Sequence, residues 1–247
     1  MKRFFGRSCF CLIEAARIKV LGEQLRKGNV MQREAAVSEL GGIEDASVVP
    51  LLGAALDDRD SVQAVESAKA ALVRLGRKPE FRVLVRQTLV SKLVSKRFLA
   101  RTWAAEALGK VGGVEAMPHL TRMLEKEAHP FARLTVVCAF QEIGHRSAVE
   151  PIVSLLEKEQ DSNVANAASS ALAKLSAEFT RRKEPSLPSN QAEEALLLAA
   201  SHFPPSVQGF DPAIFSNLVV GAKHNLISAG NIGDEIARLR SQSARKR

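Results

Sequence analysis

Arg101-Thr102-Trp103-Ala104-Ala105-Glu106-Ala107-Leu108-Gly109-Lys110-Val111-Gly112 is the stretch that decides the fold. Ala104, Ala107, Leu108 and Val111 fall three or four apart, so they share one face of a helix. The alanines on that face let a neighbouring helix approach closely, and Gly112 is expected to end the helix in a left-handed turn. The pattern returns along the chain. The Leu108 position is matched by Leu40, Leu72, Phe140 and Leu172, at spacings of 32, 36, 32 and 32 residues. The Ala104 position is matched by Ala36, Ala68, Val136 and Ala168, and the Val111 position by Ile43, Leu75, Ile143 and Leu175. Self-similarity at this period predicts stacked helix pairs, each burying its apolar stripe against its neighbours.

Working outward from that stretch, the turn signals fall between the matched helices. Asn29 is placed to cap the helix whose pattern runs from Met31 to Leu40, which Gly41 and Gly42 stop. Pro50 stands in the first turn of the next helix, where its missing N–H matters least. Asp60 is expected to cap a helix running to Leu75, and Asp161 one running to about Ala177. Lys78-Pro79-Glu80 and His129-Pro130 each open a helix. A first helix is expected over residues 9–27. After Thr180 the register is lost, and residues 178–190 read as a linker rich in charge, Pro and Ser. Helical patterns resume over 191–247 and end in a basic tail. The expected organisation is therefore a basic N-terminal segment at 1–29, a repeat array at 30–177, the linker, and a C-terminal helical cap.

The residues at 30–177 resemble the HEAT-repeat family in its short, bilin-lyase-like variety. The Arg at the head of that family's second helix is matched by Arg33, Arg101 and Arg133, and is replaced by Val65 and Ala165. Its Pro early in the first helix is matched by Pro50, Pro118 and Pro151. The resemblance implies an all-α fold, a right-handed α-solenoid of about five HEAT-like helix pairs. It is specific for fold and weak for function, because the motif residues are packing residues.

The formal charge of the 247-residue chain is +8, unevenly placed. Residues 1–30 carry seven cations against two acids, and residues 77–101 carry eight against one. No apolar run approaches the length of a membrane span. The acid-poor N-terminus, with no acid before Glu14, reads either as an organellar transit segment or as a basic first helix, which makes the mitochondrion the expected location and the cytoplasm the alternative. Cys9, Cys11 and Cys138 are too few for a disulfide framework, and Cys138 is expected to be a buried, inert thiol among Val136, Val137 and Ala139.

No linear catalytic signature stands out: there is no phosphate-binding Gly-rich loop, no nucleophile elbow and no His-Glu-x-x-His helix. The HEAT-like deoxyhypusine hydroxylases bind iron through His-Glu pairs, and none of the five histidines here is followed by Glu. No cofactor or metal is expected, and the chain is read as non-enzymatic. The main expectation is a scaffold or adaptor, a protein-binding subunit of a larger assembly. The candidate contact surface is the basic repeat, Arg82, Arg86, Lys92, Lys96, Arg97 and Arg101, which suits acidic protein or, as an alternative, RNA in a ribonucleoprotein. Trp103 is either a packing residue or a partner anchor. A bilin-lyase-like role is a further alternative, implied by the resemblance alone.

Overall fold

The structure, a computed structural model, describes residues 4–181, with side chains from 13 to 175 and at Glu178. The linker beyond residue 181, the C-terminal segment 191–247 and the side chains of Cys9 and Cys11 lie outside the described residues. The described residues are all-α and form ten α-helices. The chain divides into two compact units, residues 1–123 and 124–247.

In the first unit α1 (Phe4–Lys27) is followed by α2 (Val30–Gly42), α3 (Val48–Ala55), α4 (Val62–Gly76), α5 (Pro79–Lys92) and α6 (Phe98–Val111). Each helix packs on the next, and also on the one after it: α1 on α3, α3 on α5, α2 on α4, and α4 on α6. That double adjacency makes two parallel layers, first helices on one side and second helices on the other. The core lies between the layers. Leu40, Leu72 and Leu108, the residues of the repeating pattern, are fully buried, as are Ala36, Ala68 and Ala104 beside them. From the first layer come Ile18, Leu21, Val48, Leu52, Leu56, Val85 and Leu89. Each such leucine contributes about 2 kcal/mol by leaving water. On α5 Val85 and Leu89 are buried, while Phe81, Leu84 and Thr88 are half-buried.

Within the first layer α3 and α5 approach closely where a glycine replaces a side chain. A Cβ on Gly53 of α3 would fall 2.3 Å from Cγ2 of Thr88 on α5. The Asn29 cap forms as expected: its side chain accepts from the Gln32 N–H, and the Gln32 side chain accepts from the Asn29 N–H, each at 2.9 Å. The expected cap of α4 is displaced by one residue. Ser61, not Asp60, accepts the Ala64 N–H at 2.9 Å, because the Asp60 carboxylate is drawn to Arg33, whose Nη2 donates to it at 2.8 Å. The first helix also starts earlier than expected, at Phe4.

At the end of α6 Gly112 stays right-handed, φ −74°, against expectation, and the positive φ, 60°, falls on Gly113; a turn of 3-10 helix, Val114–Ala116, then leads into α7 (Met117–Lys126). The second unit holds α8 (Pro130–Ile143), α9 (Val149–Leu156) and α10 (Ser162–Arg181). Here α10 packs on both α8 and α9. Gly144 ends α8 in the left-handed region, φ 64°, its N–H donating to the Phe140 carbonyl. Asp161 accepts the N–H groups of Asn163 and Val164 at the head of α10, the cap that the sequence anticipates. Phe140, Ile152, Leu156 and Leu175 fill the core of this unit.

Candidate functional site

Two arginines at the heads of second helices perform the same task in different units. Arg33 of α2 donates from Nη1 to the Gly28 carbonyl at 3.0 Å and from Nε to Asp58 at 2.6 Å. Arg133 of α8 donates from Nη1 to the Ala128 carbonyl at 2.8 Å, and from Nε and Nη2 to the two oxygens of Glu159, each at 2.7 Å. In both cases the guanidinium ties the turn five residues behind it to a carboxylate 25 or 26 residues ahead. That carboxylate in turn accepts backbone N–H groups of its own turn: those of Asp60 and Ser61 for Asp58, and those of Gln160 and Asp161 for Glu159. Burial pushes both carboxyls up, but the Arg hydrogen bonds, the backbone donors and the guanidinium charge outweigh it, leaving each below its ordinary value. The arginines are raised, chiefly by those same hydrogen bonds.

Arg101 holds the same place in α6, and its Nη1 donates to the Ser95 carbonyl at 2.8 Å. At the gap left by Val65 the following turn reaches backward instead. Lys92 Nζ and Ser95 Oγ bind the Asp57 carboxylate at 2.7 and 2.8 Å, and Arg97 Nη1 donates to the carbonyls of Asp57 and Asp58. Burial raises the Asp57 carboxyl, yet the bonds from Lys92 and Ser95 and the charges of Lys92 and Arg97 bring it below its ordinary value.

These bonds sort the expected basic surface into two groups. Lys92, Arg97 and Arg101 are spent on the turns around Asp57 and Ser95, and Lys78 is paired with Glu44. Arg82 and Arg86 lie on α5 one turn apart. Arg82 is exposed and makes only long contacts to the carbonyls of Gly76 and Arg77, and Arg86 meets Glu115 at 3.3 Å. Lys96 is exposed in the turn after α5. The structure therefore leaves Arg82 and Lys96 exposed, while Arg86, Lys92, Arg97 and Arg101 are half-buried, Arg86 against Glu115 and the other three against the turns. Trp103 is half-buried on α6.

A shallow cleft of about 340 Å³ opens between α2 and α4 in the second-helix layer. Ser38, Gly41, Gly42, Ser67 and Ala70 line it, and Arg74 spans one end, its guanidinium donating to the Gly41 carbonyl. The cleft exists because the residues on the wet side of both helices are small at successive turns. Sequence reading missed it, and the signal was there: Ser38, Gly41 and Gly42 on one helix face Ser67, Ala70 and Ala71 on the next, where other repeats carry larger or charged groups such as Trp103 and Glu106. Beside it a row of ion pairs, Glu66–Lys69–Glu106–Lys110, joins α4 to α6 at 2.8–2.9 Å. Burial lowers the Lys69 amine, but its bonds to Glu106 and Glu66 raise it further than burial lowers it.

Cys138 is exposed, against the expectation of a buried thiol. It lies seven residues after Phe131, which is 52% exposed, and four before the exposed Glu142, so all three fall on the wet side of α8. Its apolar neighbours in sequence, Val136, Val137 and Ala139, point the other way. Among the described residues no group of three or more His, Cys, Asp or Glu is gathered to hold a metal ion, and no helix is long and apolar enough to cross a membrane.

Comparison with known proteins bears on one further expectation. Residues 32–58 and 100–126 each match the family model described as "PBS lyase HEAT-like repeat". No curated protein matches the chain. Among solved structures it is similar to the complex of CpcE and CpcF of phycocyanin lyase from Nostoc sp. PCC7120, with 17% identity over 85% of this chain and 94% of that one, at a TM-score of 0.35. The expectation of a non-enzymatic chain is overturned by the repeat match, because the matched repeat takes its description from a lyase. The missing linear signatures were a poor guide: a repeat fold assembles its sites from side chains on separate helices, which leaves no contiguous motif to find. The paired helices, the recurring core positions and the two matched segments identify HEAT-like repeats within this chain.

Proposed function

We propose that the chain is a protein-binding subunit whose partner lies in the cleft between α2 and α4. The observation that supports this reading is the cleft itself: small side chains on two adjacent helices, open to solvent, with a cation at one end. Small residues let a partner backbone approach, and Arg74 offers donors to its carbonyls or carboxylates. The test is a photo-crosslinking residue placed at Ser67, with Ser38→Arg and Ala70→Arg as blocking variants. The expected result is a crosslinked protein partner that disappears in both blocking variants while helicity is unchanged. A partner retained at full yield in both would refute the placement.

The second reading is a lyase-type role, favoured by the description of the matched repeat. In that reading the cleft holds the protein to which a bilin is joined. Incubation with a bilin and an apo-phycobiliprotein, followed by a denaturing gel, tests it through covalent pigment on the acceptor. Pigment that stays free, with the partner cleft intact by crosslinking, would remove the lyase reading and leave the first in place. RNA has no support from the comparisons, and four of the six cations it would use are half-buried against partners within the protein.

A further inference from the structure

We propose that the outward face of α5 is a docking site for an acidic amphipathic helix of a partner protein. It is a different surface from the α2–α4 cleft, so either proposal can fail alone. On α5 Val83 is 53% exposed and Val90, seven residues on, is half-buried, while Val94, in the turn that follows the helix, is 83% exposed. Val83 and Val90 stand two turns apart on one face of the helix with Gln87 between them, and Val94 adds an exposed aliphatic side chain just past its end. Aliphatic residues in line on the wet side of a surface helix are a pattern that solvation alone does not favour. The neighbouring helix of the same layer, α3, carries no charged residue, and its Pro50 and Ala54 are exposed. The uncharged surface therefore extends beyond α5.

Charge identifies the occupant. Arg82 lies on α5 next to Val83, Arg77 and Lys96 lie in the turns at the two ends of the helix, and Glu80 is the one acid of the repeat. Arg77 and Lys96 are exposed and form no ion pair among the described residues, and Arg82 has only carbonyl contacts. Acids from elsewhere, Glu44, Asp57 and Glu115, meet Lys78, Lys92 and Arg86. The net positive charge left over sits beside the exposed valines and at the two ends of the helix. That is the complement of a helix with leucines along one face and carboxylates at its flanks. A phosphate backbone is a poorer fit, because valines offer bases no stacking surface.

The probe is a fluorescein-labelled peptide of about 18 residues, five helical turns, with Leu at i, i+3, i+4 and i+7 and Glu and Gln between. A scrambled peptide of the same composition and a labelled oligouridylate are the comparators, and anisotropy on the full chain is the readout. The expected result is that the patterned peptide binds at least about fivefold tighter than the scrambled one. Val83→Asp with Val94→Asp then weakens it about tenfold, and Arg82→Gln with Lys96→Gln weakens it about threefold and flattens its salt dependence. Should the aspartate pair lower helicity, Val83→Ser with Val94→Ser takes its place, with about a threefold loss expected. The proposal is overturned if the scrambled peptide binds equally, if the valine variants bind as wild type, if oligouridylate displaces the peptide, or if sedimentation shows a second copy of this chain covering the face.

Discussion

Replacing Arg133 by Met should uncover what its clamp contributes. The guanidinium meets Glu159 through two bonds of 2.7 Å, and the Glu159 side chain is 1% exposed while that of Arg133 is 17% exposed. Removing the cation leaves a carboxylate out of water with only the Gln160 and Asp161 N–H groups as partners. Breaking a buried pair from one side costs about 3–5 kcal/mol, and the two surviving donors place this site at the lower end, about 3 kcal/mol. With a urea slope of about 2 kcal/mol/M, the midpoint of the affected transition should fall by about 1.5 M. Adding Glu159→Gln removes the uncompensated charge while keeping an acceptor for the two N–H groups. The double variant should therefore recover about 1–2 kcal/mol of the loss, a coupling that unfolding curves at 222 nm resolve. A loss below about 1 kcal/mol for Arg133→Met, or a double variant no better than the sum of the singles, would refute the reasoning.

The same carboxylates predict an acid response. Asp58 and Glu159 are held below their ordinary values of 3.8 and 4.5, so the unfolded chain binds more protons than the folded one in that range. Their contribution is complete above about pH 5 and declines as pH falls through those values and below, and a double variant Asp58→Asn, Glu159→Gln should show a shallower acid limb in a stability–pH series. At Gly53, Ala restores about 1 kcal/mol of helix propensity but meets Thr88, so alone it should be neutral or destabilising. In a Thr88→Ser background the same change should stabilise by up to about 1 kcal/mol, and a loss there in thermal melts would contradict the close approach. In a Cys9→Ser, Cys11→Ser background, Cys138 should react with a maleimide without denaturant, and mass spectrometry showing no adduct on the native protein would contradict its exposure.

The helix pairs were legible because their signals are local. Leu40, Leu72, Leu108, Phe140 and Leu172 mark the buried stripe by spacing alone, and Asn29, Asp161 and Gly144 act where their residue types say they should. The contacts that decide the surface were not local. Segment counting gives residues 77–101 eight cations and one acid, but Asp57, Glu44 and Glu115 from flanking segments meet three of those cations, and no linear window contains both sides of these pairs. Cys138 was misread for a related reason: its neighbours in sequence are apolar, but helical geometry sends adjacent residues in different directions. Asp60 was misplaced as a cap because its charge is claimed by Arg33, 27 residues earlier. The cleft between α2 and α4 is a shortage of side-chain volume, and reading for conspicuous residues passes over it.

The clamps of Arg33 and Arg133 reach ahead by nearly one repeat length, to a residue that also organises the turn it belongs to. A connection of that kind carries its own address. A duplicated or excised block of one period brings an arginine and a receiving acid back to the same offset, so lengthening or shortening of the gene by whole repeats would preserve the fastening. Single-residue insertions between Arg133 and Glu159 would not, and tolerance to indels in this chain should therefore rise and fall with the repeat length.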